Sequence, residues 1–125
     1  FAIVSLFAFE SGFTPKINFI IKSLECDKNL HKKAFDICYS YKEKHPLAVA
    51  YVLKKELVNK NLYSRKGLRF RPDYNLPTRY RSYSKDYSRT GFDRGHNAPN
   101  ADFDYNKAIQ KETFLMSNIT PQKPN

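Results

Sequence analysis

AFDICYSYKEKHPLAVAYVL, residues 34–53, is the stretch on which the fold turns. Its first half supports two readings. Leu30, Ala34, Ile37, Cys38 and Tyr41 fall at helical spacing, while Phe35, Ile37, Tyr39 and Tyr41 alternate with Asp36, Cys38, Ser40 and Lys42 at strand spacing, in a β-favouring composition. The chain's two cysteines, Cys26 and Cys38, tip the balance. An even count of two in an exported protein favours one disulfide. On a single helix twelve residues of rise would hold them about 18 Å apart, far beyond a bridge's reach. The sequence therefore predicts a strand over 34–42, a turn at 43–46 and a second strand over 47–53, which together make a β-hairpin. Cys26, His31, Cys38 and His45 also alternate as a zinc set would, but their spacings match no common finger.

Working outward, residues 59–92 are rich in Arg, Tyr, Ser, Asn and Pro with little periodicity, and read as long, positively charged loops with short strands. A short helix is predicted over 106–113 and a strand over 113–119. There is no internal repeat and no interdomain linker, and 125 residues fit one domain with a modest core. The expected class is α+β, centred on an antiparallel sheet. Residues 1–9, FAIVSLFAF, are apolar except for Ser5 and resemble the remnant of a signal peptide, with a buried first strand as the other reading. That leaves 10–125 as the domain and, with the paired cysteines, places the protein in the periplasm or outside the cell. No apolar run approaches the roughly 18 residues of a membrane span.

The chain holds 22 Lys and Arg against 12 Asp and Glu, for a formal net charge of +10. A hydrophobic content of 41% beside that charge argues against disorder. Fixed positive charge attracts polyanions. Its distribution is uneven: residues 60–94 carry ten basic and three acidic residues, interleaved with Tyr63, Phe70, Tyr74, Tyr80, Tyr83, Tyr87 and Phe92. Arg grips phosphate in a fork, and aromatic faces stack on bases. A solvated loop whose tyrosines cover a core edge has the same composition.

Directly after this block comes TGFDRGHNAP, residues 90–99, and later FLMSNITPQ, residues 114–122. Phosphodiester hydrolysis needs a base for water and cations on the phosphate oxygens. A neutral His near pH 7 supplies the first, and an Arg two residues before it supplies a bidentate grip. The two-part signature of DRGH followed by SNITPQ, with the VAY strand at 49–51, resembles the sugar-non-specific DNA/RNA endonucleases of the ββα-metal (His-Me finger) group, over about residues 35–125. The resemblance implies an antiparallel sheet with a ββα-metal motif, and a hydrolase of DNA and RNA leaving 5′-phosphate ends. It implies His96 as general base, Arg94 as a phosphate contact, Asn118 as a support of the site with Gln122 beside it, and Asp93 next to the metal's water shell. Glu112 matches a recurrent acidic position. Arg65, Arg69 and Arg71 of the basic block are expected to bind substrate. The implied cofactor is Mg²⁺, or Mn²⁺ in its place, held by an Asn that follows the PQ pair in a pattern like L-N-x-x-x-W. That pattern is not in this sequence, so the reading expects a chain cut short before the ligand, with Asn125 as the alternative candidate. A non-catalytic nucleic-acid-binding module, for uptake or retention of DNA, is the competing function.

Overall fold

Phe35–Ser40 is the central strand, β2, of a three-stranded antiparallel sheet in the computed structural model, which describes residues 23–125. The apolar run 1–9 lies outside the described residues. Strand β1 (Lys28–His31) pairs with one edge of β2, from Lys28 opposite Tyr39 to His31 opposite Asp36. Strand β3 (His45–Tyr51) pairs with the other, from His45 opposite Ser40 to Tyr51 opposite Phe35.

Every residue of β2 is buried, and the period-two alternation says why. Phe35, Ile37 and Tyr39 point into a core shared with Leu30, Leu76, Ala98 and Phe103. The other face is polar but occupied. Asp36 Oδ1 lies 3.0 Å from His31 Nδ1, and Ser40 Oγ accepts the Glu43 amide at 3.2 Å. Cys38 is joined to Cys26 by a disulfide with a Cα–Cα distance of 5.1 Å. The bond takes both thiolates away from the zinc reading, and His45 is engaged with the carbonyl of Pro46 at 2.9 Å.

The hairpin turn falls earlier than the sequence predicts. Residues 41–44 make it, closed by Lys44 N–H donating to Ser40 O at 2.9 Å, with Lys44 at φ 53°. Pro46 reads as a turn residue but lies inside β3, where an edge strand tolerates a missing donor. The register shifts between Cys38 and Tyr39, whose partners are Ala48 and Pro46. Leu47 is thereby bulged outward and half exposed.

Strand β4 (Asp93–His96) and strand β5 (Ile119–Gln122) form a separate antiparallel ribbon, from Asp93 opposite Gln122 to His96 opposite Ile119. The strand predicted over 113–119 is thus displaced toward the C-terminus. Phe114, Leu115 and Met116 are all buried without alternation, and a 3₁₀ turn at Met116–Asn118 follows. Helix α1 (Lys107–Glu112) lies within its predicted span, capped by Asn106, whose side chain accepts from the amides of Ala108 and Ile109. The 59–92 region is largely irregular, with 3₁₀ turns at Thr78–Tyr80 and Ser84–Tyr87.

A buried polar node ties this loop down. Lys32 Nζ lies 2.7 Å from Asp73 Oδ2, which also accepts from Ser117 Oγ at 2.6 Å, while the Asn75 amide donates to Asp73 Oδ1 at 3.0 Å. Burial opposes the charge of Asp73. The bonds from Lys32, Ser117 and Asn75 outweigh it and hold the carboxyl below the usual carboxylate range.

Candidate active site

His96 closes β4 with its ring between two aromatic side chains. Phe70 lies 5.4 Å away centroid to centroid, and Phe114 meets it edge-on at 4.8 Å and 79°. Its Nε2 is buried and has no hydrogen-bond partner among the described residues. Burial, and then the positive charge of Arg65, push the imidazole down to about 4, so it is neutral at pH 7. A buried nitrogen without a partner is costly, and it is the atom a water or substrate group would satisfy.

Strand geometry puts Arg94 two residues before His96, on the same face of β4. Its Nε and Nη2 both donate to the carbonyl of Ser84, at 3.2 and 2.7 Å. The guanidinium carbon stands 5.9 Å from the ring centroids of both Phe70 and Tyr87. One carbonyl therefore fixes one edge of the fork. Arg65 is a second cation at the site, 5.3 Å from the centroid of the same Phe114 ring that meets His96.

The remaining expected residues are more dispersed. Arg69 is exposed. Arg71 pairs through its backbone with Phe114 and Met116, and its Nη2 points to the carbonyl of Lys111 at 3.5 Å. Asn118 is fully buried. Its Nδ2 donates to Ala98 O at 3.0 Å and Thr113 O at 2.9 Å, and its Oδ1 accepts the Ala98 amide at 2.9 Å. It therefore clamps the backbone just after His96 and does not face solvent. Asp93 is exposed, opposite Gln122. The Gln122 side chain lies across Gly95, where an added Cβ would come within 2.7 Å of Gln122 Oε1 and 3.0 Å of its Cβ. Only glycine leaves that space open. Glu112 accepts the Lys33 amide at 2.9 Å and pairs with Lys33 Nζ at 3.5 Å, joining α1 to the β1–β2 turn. Asn125 is exposed. No cluster of three or more His, Cys, Asp or Glu able to hold a metal exists among the described residues.

Sequence reasoning missed Phe70 and Phe114 as the walls around His96, and Ser84 as the anchor of Arg94. Each is an ordinary apolar residue or serine in its local context, and only the tertiary fold brings it to the site.

Residues 17–125 match the pattern of the family described as DNA/RNA non-specific endonuclease. The chain is similar to "Mitochondrial nuclease" of Saccharomyces cerevisiae, with 33% identity over 92 residues, covering 74% of this chain and 28% of the yeast protein. "Nuclease EXOG, mitochondrial" of Homo sapiens is 40% identical over 58 residues, covering 46% of this chain and 16% of the human one. The fold is similar to a chain solved in "Crystal structure of the EndoG/EndoGI complex: Mechanism of EndoG inhibition". The TM-score there is 0.77 at 28% identity, over 91% of this chain and 48% of that one. The chain thus spans 28% of the yeast relative's length and 48% of the solved chain's.

Proposed function

Because the chain belongs to the DNA/RNA non-specific endonuclease family, we propose that it hydrolyses phosphodiester bonds in DNA and RNA with His96 as the base that takes a proton from water. The unpartnered, buried Nε2 of a neutral His96 between two aromatic rings, with Arg65 and Arg94 beside it, carries this reading. Water gives its proton to His96, and the hydroxide attacks phosphorus. The bond to the 3′-oxygen breaks, and that oxygen leaves to become a 3′-hydroxyl on gaining a proton, so the other product ends in a 5′-phosphate. Arg94, fixed by the Ser84 carbonyl, and Arg65 offset the charge that builds on the phosphate oxygens. A bound phosphodiester also counters the field of Arg65 at His96, which raises the proton affinity of the imidazole at the moment it must act. Backbone contacts of this kind carry no base information, so sequence selectivity is weak.

Nucleases of this family depend on a metal ion, and Mg²⁺, or Mn²⁺ in its place, is the ion we propose. The ligand that the resemblance implies is a single Asn after the PQ pair, for which the described residues offer only the exposed Asn125. No group of three or more His, Cys, Asp or Glu among them could hold an ion instead, so they do not by themselves fit it. A periplasmic or secreted location rests on the Cys26–Cys38 disulfide, whereas the yeast and human relatives carry mitochondrial names.

The test is degradation of plasmid DNA and of RNA by the intact gene product with Mg²⁺, before and after His96→Ala. The expected loss is roughly 10²- to 10⁴-fold. Undiminished cleavage would remove His96 as the base. Equal inactivity of both proteins, with salt-sensitive binding intact, would favour the non-catalytic binding module.

A further inference from the structure

Beside the Arg94 site lies a pocket of about 350 Å³ that the chemistry above does not use. Pro121, one of its lining residues, is the cross-strand partner of Arg94, so the pocket opens on the same face of the β4–β5 ribbon. Tyr87 is shared between the two places: it lines the pocket, and its ring centroid is 5.9 Å from the Arg94 guanidinium carbon. Phe92 completes the aromatic lining and is 44% exposed. Phe92 is also held in place. Thr90 Oγ1 donates to Tyr87 O at 2.7 Å and accepts the Phe92 amide at 3.2 Å, while Gly91 takes φ 81° to turn the chain between them. Glu43 and Ser82 add an acceptor and a hydroxyl to the lining.

We propose that this pocket receives an unstacked nucleobase of the substrate strand, from a nucleotide neighbouring the phosphate gripped by Arg94. The inference rests on the nuclease reading and adds a substrate preference to it. The volume is at the small end of ligand sites and suits a base with its sugar. Phe92 offers an exposed face for stacking, which every base accepts, and the buried Tyr87 forms the wall behind it. The Glu43 carboxylate accepts from the amino or imino edge of a base. A base still paired in a duplex cannot enter. Single strands, or duplexes that give up stacking energy, therefore gain a contact that intact duplexes lack.

The experiment is binding, measured in EDTA so that no cleavage occurs. A fluorescently labelled short single strand and a duplex of the same sequence are titrated with the wild-type protein, Phe92→Ala and Phe92→Tyr. Phe92→Ala is expected to weaken single-strand binding about tenfold, the size of one base–aromatic stack, and to leave duplex binding unchanged. Phe92→Tyr, which keeps the ring, is expected to bind as the wild type does. No loss on either substrate, or an equal loss on both, overturns the base pocket. Cleavage by His96→Ala is scored separately. Its persistence would sink the nuclease mechanism while leaving the single-strand result to be judged on its own.

Discussion

His96 derives its chemistry from its neighbours. Phe70 and Phe114 bury much of the ring and Arg65 adds positive charge, so the folded protein holds its pKa at about 4, against about 6.5 for a free histidine. Between those two values the unfolded chain binds a proton that the folded chain refuses. Stability therefore falls as pH drops from about 6.5 toward about 4, and this contribution levels off below that. His96→Phe removes the group, and with it that part of the pH dependence. Urea midpoints at pH 7 and pH 5 should lie closer together in the variant than in the wild type, and an equal separation would contradict the assignment. At the same scale, Asp73 is ionised in the fold and kept so by Lys32, whose own side chain is 3% exposed. Its contribution is present at neutral pH and lost as pH falls through its lowered pKa. Asp73→Asn leaves the Lys32 ammonium buried without a countercharge, at an expected cost of about 3–5 kcal/mol. Replacing both residues with apolar ones should cost less than Asp73→Asn alone, as urea unfolding would show.

Among the elements, β2 was legible because its alternation and the Cys26–Cys38 constraint agreed, and the structure places the strand at Phe35–Ser40 with that bond formed. Helix α1 falls within the short helix predicted over 106–113, and its cap, Asn106, is the first residue of that span. Strand β1 was not, since Lys28–His31 holds one apolar residue, Leu30, and four residues offer no period to read. The misplaced strand at 113–119 has a different cause. Phe114, Leu115 and Met116 are enclosed on all sides, and the backbone there is bonded by Arg71 and the Asn118 side chain instead of by a neighbouring strand. The candidate site was half legible: DRGH points to His96 and Arg94, which the fold brings together, but which arginine of the basic block comes near His96 depends on Phe114, 49 residues from Arg65 in sequence. The disulfide closes a loop of 12 residues, and Cys26→Ser with Cys38→Ser is expected to lower stability by about 2–4 kcal/mol. A reductant should shift the urea midpoint of the wild type toward that of the double variant and leave the variant unmoved.

Over the whole molecule, the +10 charge acts as a field concentrated before and around β4. Arg65 and Arg69, both exposed, are free to meet phosphate, whereas Arg71 is partly committed to the carbonyl of Lys111. Arg65→Ala and Arg69→Ala are each expected to weaken duplex DNA binding and to flatten the plot of log affinity against log salt by about 0.9 for each phosphate no longer neutralised. Arg71→Ala should flatten it less. Filter binding across a salt series measures all three, and unchanged slopes would return the charge to solubility alone. No helix among the described residues is long and apolar enough to cross a membrane.

The bond from Cys26 to Cys38 also governs how the chain carries mechanical load. Tension applied ahead of Cys26 passes through sulfur to the middle of β2, bypassing β1. The oxidised molecule thus takes the load first on its central strand, whereas the reduced one takes it first on the edge strand β1. A motor or pore that draws the protein in by its N-terminal end therefore meets a latch whose key is a reductant.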